Sequence, residues 1–103
     1  MLEPMAEACL GLLRLTLHLP TSRSLKSKRQ VVSGLLRQVR NEFQVAAAEV
    51  GDGNRWQLAE LAIVCVSNDA QHADEVLQRV ATFVESRSRE ALVTSVATEL
   101  VRI

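Results

Sequence analysis

Five cations crowd one stretch of the chain, Ser24–Phe43, SLKSKRQVVSGLLRQVRNEF. They are Lys26, Lys28, Arg29, Arg37 and Arg40. At about 100° per residue, Lys26, Arg29, Arg37 and Arg40 fall within a helical arc of roughly 80°, with only Ser33 between them. Leu25, Val32, Leu35, Leu36, Val39 and Phe43 form a broad apolar arc beside it. The stretch therefore reads as one amphipathic helix with a basic flank. Ser24 is placed as its N-cap, with Thr21 and Ser22 as competitors. Lys26, Lys28 and Arg29 stand at the positive end of the helix dipole, where each exposed cation is unfavourable by roughly 0.3–1 kcal/mol. A helix selected only for stability carries Asp or Glu there. Free N–H groups and three cations make an anion site, for a small anion at the Ser24–Arg29 turn or for a nucleic-acid backbone. The competing reading is a solvated basic face that keeps the chain soluble.

Lys28 is the anomaly, since its wheel position is apolar. Its stem can cover Leu25 or Val32 with the ammonium in water. Its ammonium can instead join Lys26 and Arg29 in the anion site, and we assign it there. In both cases Lys28→Met is expected to fold. A buried ion pair is the third environment.

Elsewhere the chemistry is sparse. His18 and His72 have no Cys, Asp or Glu at metal-ligand spacing and read as surface residues. Ser67-Asn68-Asp69 resembles a polar trio, but a helix cap explains it better. Glu49 and Trp56 flank a turn, where a carboxylate near an indole can act as an acid. The plainer reading has Trp56 covering the open end of the core and Glu49 meeting a neighbouring Lys or Arg. There is no glycine-rich phosphate loop, so no enzyme and no cofactor is expected. Trp56, Phe43 and Phe83 are the only aromatic residues, which disfavours base stacking on a sheet.

The composition bounds these readings. The chain has 103 residues, enough for one domain, and 48% of them are hydrophobic, which argues against disorder. Net charge is zero, but residues 8–41 hold seven Lys and Arg and no acid, giving +7 against −7 elsewhere. That split implies a polarised surface unless salt bridges between elements cancel it. Cys9 and Cys65 lie in apolar runs and suit packing roles in a reducing compartment. No apolar run is long enough for a membrane span, and the N-terminus lacks the features of a signal peptide, so the cytoplasm is expected.

Residues 1–7 read as a flexible extension, and residues 8–103 as a single domain. From Leu13 the first strand alternates, with Leu13, Leu15, Leu17 and Leu19 on one side and Arg14, Thr16 and His18 on the other. Pro20 ends it, and the basic helix follows. Gln44–Val50 reads as a strand, Gly51–Asn54 as a turn, and Trp56–Ser67 as a central strand. Asn68 is placed as the next N-cap, with Gln71 in the capping-box position. Ala73, Val76, Leu77, Val80, Ala81 and Val84 make a second helical stripe, with Glu75 and Arg79 as an i,i+4 pair. Ala91–Ile103 is the last strand. The β-α-β-β-α-β order predicts an α+β, ferredoxin-like sandwich: a four-stranded antiparallel sheet with both helices on one face. The other face stays open. It shows Leu10, Leu12, Arg14, Thr16 and His18, plus either Ala62, Val64 and Val66 or the equally apolar opposite set. A partly apolar open face favours a homodimer joined through it.

Several short runs carry a family resemblance. They are Ser24–Arg29, Phe43-Gln44-Val45, Ala48-Glu49-Val50, Trp56-Gln57 and Val66-Ser67-Asn68-Asp69. In order and spacing they resemble the YlxP-like family of small bacterial proteins, a domain of unknown function, over residues 9–103. The resemblance implies a ferredoxin-like fold. In many bacteria the family's genes lie beside those for translation initiation and ribosome-binding factors, which implies a ribosome or RNA link. The sequence departs from the family pattern at Leu58, where relatives usually carry Arg, and in the glycine-rich turn at 51–54. The leading expectation is a non-enzymatic factor that touches structured RNA or the ribosome through the first helix. The alternatives are a homodimeric module joined through the open sheet face and a small-anion binder at the Ser24–Arg29 turn.

Overall fold

The computed structural model describes residues 7–87 and 89–103. Apart from Glu7, the expected extension 1–7 lies outside the described residues. The elements run β1 (Cys9–His18), α1 (Leu25–Glu42), β2 (Ala46–Val50), β3 (Leu58–Ser67), α2 (Ala70–Arg87) and β4 (Leu92–Arg102). The four strands form one antiparallel sheet in the order β2-β3-β1-β4, and the fold is the ferredoxin-like sandwich.

β1 is central and pairs along its whole length with β3 and β4. Its leucine alternation decides which side is buried: Leu13, Leu15 and Leu17 face the helices, with Leu19 buried just beyond. Cys9 and Gly11 extend the buried set. On β3 the register places Ala59, Leu61, Ile63 and Cys65 inward and leaves Ala62, Val64 and Val66 on the open face. The core closes with Val32, Leu35, Leu36 and Val39 of α1 and Ala73, Leu77, Val80, Ala81 and Val84 of α2. Val76 packs half-buried at its rim. Phe43 ends α1 by setting its ring edge-on to Phe83, with centroids 5.4 Å apart.

Four expectations shift. β2 begins at Ala46 and β3 at Leu58, so Gln44, Val45, Trp56 and Gln57 belong to connections. Trp56 does not cover the core; it is 54% exposed. Asp69, not Asn68, caps α2: its Oδ1 accepts the Gln71 N–H at 3.0 Å and its carbonyl the Ala73 N–H. Gln71 thus stands one position short of the capping box. Among the described residues no ion pair joins Glu75 to Arg79.

Ser24 caps α1 as expected. It is extended (φ −160, ψ 160), and its Oγ accepts the Ser27 N–H at 3.0 Å. Ser24→Ala should lower stability by about 1 kcal/mol, from the lost cap alone. That corresponds to a Tm fall of roughly 4–8 °C for a domain of this size. A melting curve identical to the parent's would mean that another side chain serves as the cap.

Candidate nucleic-acid interface

Only part of the basic stretch faces solvent. Lys28 is fully buried. Its ammonium donates to Glu49 Oε2 at 2.8 Å, to the Gly53 carbonyl at 2.7 Å and to the Leu58 carbonyl at 3.4 Å. A lysine has three N–H donors, so this cage leaves none for a ligand. The structure therefore takes Lys28 out of the anion site assigned from sequence. The apolar wheel position was a true sign of burial. The charge is tolerated there because three acceptors replace water.

Lys26, Arg29, Arg37 and Arg40 are all exposed. Arg40 fixes which way the row faces, since its guanidinium donates to the Ala47 carbonyl on β2. The row thus runs along the outer flank of α1, above the β2 edge of the sheet. Among the described residues Lys28–Glu49 is the ion pair within 4.0 Å, so no carboxylate neutralises this row. Ser24 is only partly available to a ligand, because its hydroxyl already accepts from Ser27.

The two turn residues differ. Glu49 holds Lys28, the plainer of its two expected roles. Trp56 stands in an open recess with His18, Arg55, Gln57 and Leu58. Gln57, which sequence reasoning did not single out as a site residue, ties two connections together. Its Nε2 donates to the Pro20 carbonyl at 3.2 Å and the Ser22 carbonyl at 3.3 Å, and its own carbonyl accepts the Leu19 N–H. Its place in the Trp56-Gln57 pair was the signal for it. These contacts gather the β1–α1 connection, the first turns of α1 and the β2–β3 connection at one end of the sheet.

The family described as "Protein of unknown function (DUF503)" matches residues 10–98. The chain belongs to this family. It is similar to "Uncharacterized protein YlxP" of Bacillus subtilis (strain 168), at 38% identity over 63 residues, which cover 61% of this chain and 68% of that one. Among solved structures it is similar to the de novo designed protein Foldit4, with a TM-score of 0.51, 12% identity, and 91% of this chain and 96% of that chain covered. The designed ferredoxin-fold protein LFR1 1 gives a TM-score of 0.48 at 13% identity, over 89% and 83% of the two chains. Lys28, Glu49 and Gln57, within the runs that resemble the DUF503 family, build the junction described above. Leu58 contributes its carbonyl to that junction, a group that any residue supplies, so the departure there leaves the ammonium cage intact.

Among the described residues no three His, Cys, Asp or Glu side chains converge as metal ligands, and no helix is long and apolar enough to cross a membrane. Cys9 and Cys65 are buried free thiols. Burial pushes the Cys65 thiol up from its ordinary range, which keeps it protonated and unreactive near neutral pH.

Proposed function

We propose that this protein is a non-catalytic cytoplasmic RNA-binding accessory that holds the phosphate backbone along the outer flank of α1. The observation that carries this reading is the row Lys26, Arg29, Arg37 and Arg40: exposed, on one side of one helix, and without carboxylate partners among the described residues. A row of point charges positions a backbone and reads no bases, so binding should be tolerant of sequence. The absence of acid from the first turn of α1 adds to the favourable potential there. The RNA link implied by the family resemblance agrees with it.

Binding to structured ribosomal RNA fragments should fall steeply with salt. Four phosphate contacts give a slope of about −3 to −4 in log K against log salt, at roughly 0.7 per phosphate for single strands and 0.9 for a duplex. Lys26→Glu combined with Arg29→Glu should weaken binding and cut that slope by about half, since two of the four contacts are reversed. Both residues are exposed and stand at the positive end of the α1 dipole, where Glu is favourable, so the variant should fold with a melting temperature no lower than the parent's. An affinity untouched by the double substitution would remove the basis of the reading.

A further inference from the structure

The two edges of the sheet are unlike. β2 is five residues long, one of its carbonyls is held by Arg40, and the cations of α1 flank it. Such an edge resists pairing with another strand. β4 is eleven residues long, has no Pro and no Lys, and carries only Glu99 and Arg102 as charges. Among the described residues seven large hydrophobic side chains are exposed, and five of them are Leu92, Val96, Leu100 and Val101 on β4 and Ile103 just after it. Val96 and Leu100 face the helix side, opposite Leu15 and Gly11, yet remain 47% and 41% exposed. The helix layer covers them only in part.

Ala8 and Ile103 exchange both backbone bonds. Hydrogen-bonded and non-bonded pairs alternate along an antiparallel ladder. The register then makes Leu100, Thr98 and Val96 non-bonded partners of Gly11, Leu13 and Leu15. Their N–H and C=O groups therefore point out of the sheet, toward the free edge.

We propose that β4 pairs with β4 of a second copy of this chain, antiparallel, about a two-fold axis at Thr98. In that register Thr98 meets Thr98, and Val96 meets Leu100 twice. Each of these pairs uses outward-pointing groups and exchanges two N–H···O bonds. Glu99 meets Ala97, so no like charges are opposed. An axis one residue later would set Glu99 against Glu99, which is destabilising. The Val96 and Leu100 side chains of both copies then cover one another between the two helix layers. This self-match is what selects a second copy as the occupant. The open face is the weaker surface for a copy, because Arg14, Glu60 and Glu99 stand on it without ion-pair partners among the described residues, and stacked sheets would bury them.

The test is sedimentation equilibrium from low to high micromolar concentration, with amide hydrogen exchange read residue by residue. The wild-type chain should be a dimer at the upper end. The Val96, Thr98 and Leu100 amides should be protected there and lose protection on dilution. Thr98→Pro removes an N–H that the single chain does not use, so the fold should survive on an edge strand while the dimer is lost. If that variant does not fold, Val96→Lys with Leu100→Lys places cations opposite one another and should abolish the dimer. Leu12→Glu with Val64→Glu, on the open face, should leave it intact. A monomer at every concentration overturns the proposal. So does a dimer that survives a folded β4 variant, one that leaves the three amides unprotected, or one that only the open-face variant abolishes.

Discussion

Replacing Lys28 with Met should lower stability by about 3 kcal/mol, the low end of the 3–5 kcal/mol range for removing one partner of a buried ion pair. The low end applies because the Glu49 side chain keeps 22% of its exposure and can partly rehydrate, whereas Lys28 keeps none. The substitution also leaves the Gly53 and Leu58 carbonyls without their ammonium donor. Met matches the stem in volume, so lost packing adds little. The expected fall in Tm is roughly 12–24 °C. Of the three environments open to Lys28 from sequence, the one found is the buried ion pair, not the anion site assigned to it. The check is a double-mutant cycle by denaturant unfolding. Lys28→Met with Glu49→Gln should recover at least half of the loss, because no unpaired charge remains. Single and double variants equal in stability to the wild type would show that the cage contributes nothing.

The second large effect is expected at Gly11, in the middle of the sheet. A Cβ at Gly11 would lie 2.9 Å from Cys65 Sγ and 3.1 Å from Leu77 Cδ1. Both neighbours are buried, with Leu77 pressed onto the strand from α2. Neither can withdraw into solvent, so Gly11→Ala should cost about 1–3 kcal/mol through overpacking. Gly11→Ala with Cys65→Ala removes the nearer clash and should recover part of the loss. Unfolding of the three variants in urea tests this. Equal stability of Gly11→Ala and wild type would mean that α2 shifts to make room. Gly51 restricts substitution for a different reason. Its φ is +75, so the backbone selects glycine in that turn; a Cβ there would meet Glu60 Oε2, the far end of a flexible side chain that can swing aside.

Local pattern was enough to read the architecture. Leucine alternation on β1, the apolar stripes of α1 and α2, and turn residues at 51–54 each act within a few residues. Their periods of two and 3.6 set which face is buried wherever one face is clearly more apolar than the other. The same locality explains the Ser24 cap, whose acceptor and donor are three residues apart. Local pattern failed where two neighbours qualified equally. Asn68 and Asp69 are both good caps, and the backbone leaving β3 chose Asp69. Both faces of β3 are apolar, and only its pairing with β1 turned Ala62, Val64 and Val66 outward.

The candidate site divides along the same line. Helical spacing is a property of the chain alone, so the order of residues already places Lys26, Arg29, Arg37 and Arg40 on one flank of a helix. It also marked Lys28 as a charge at a buried position. Tertiary structure alone decided what that charge does, since its acceptors lie 21, 25 and 30 residues away and two of them are backbone carbonyls. A carbonyl carries no side-chain signature, so no residue type at 53 or 58 could announce the cage. A buried ammonium needs acceptors to replace its water, and only the folded chain brings these three together.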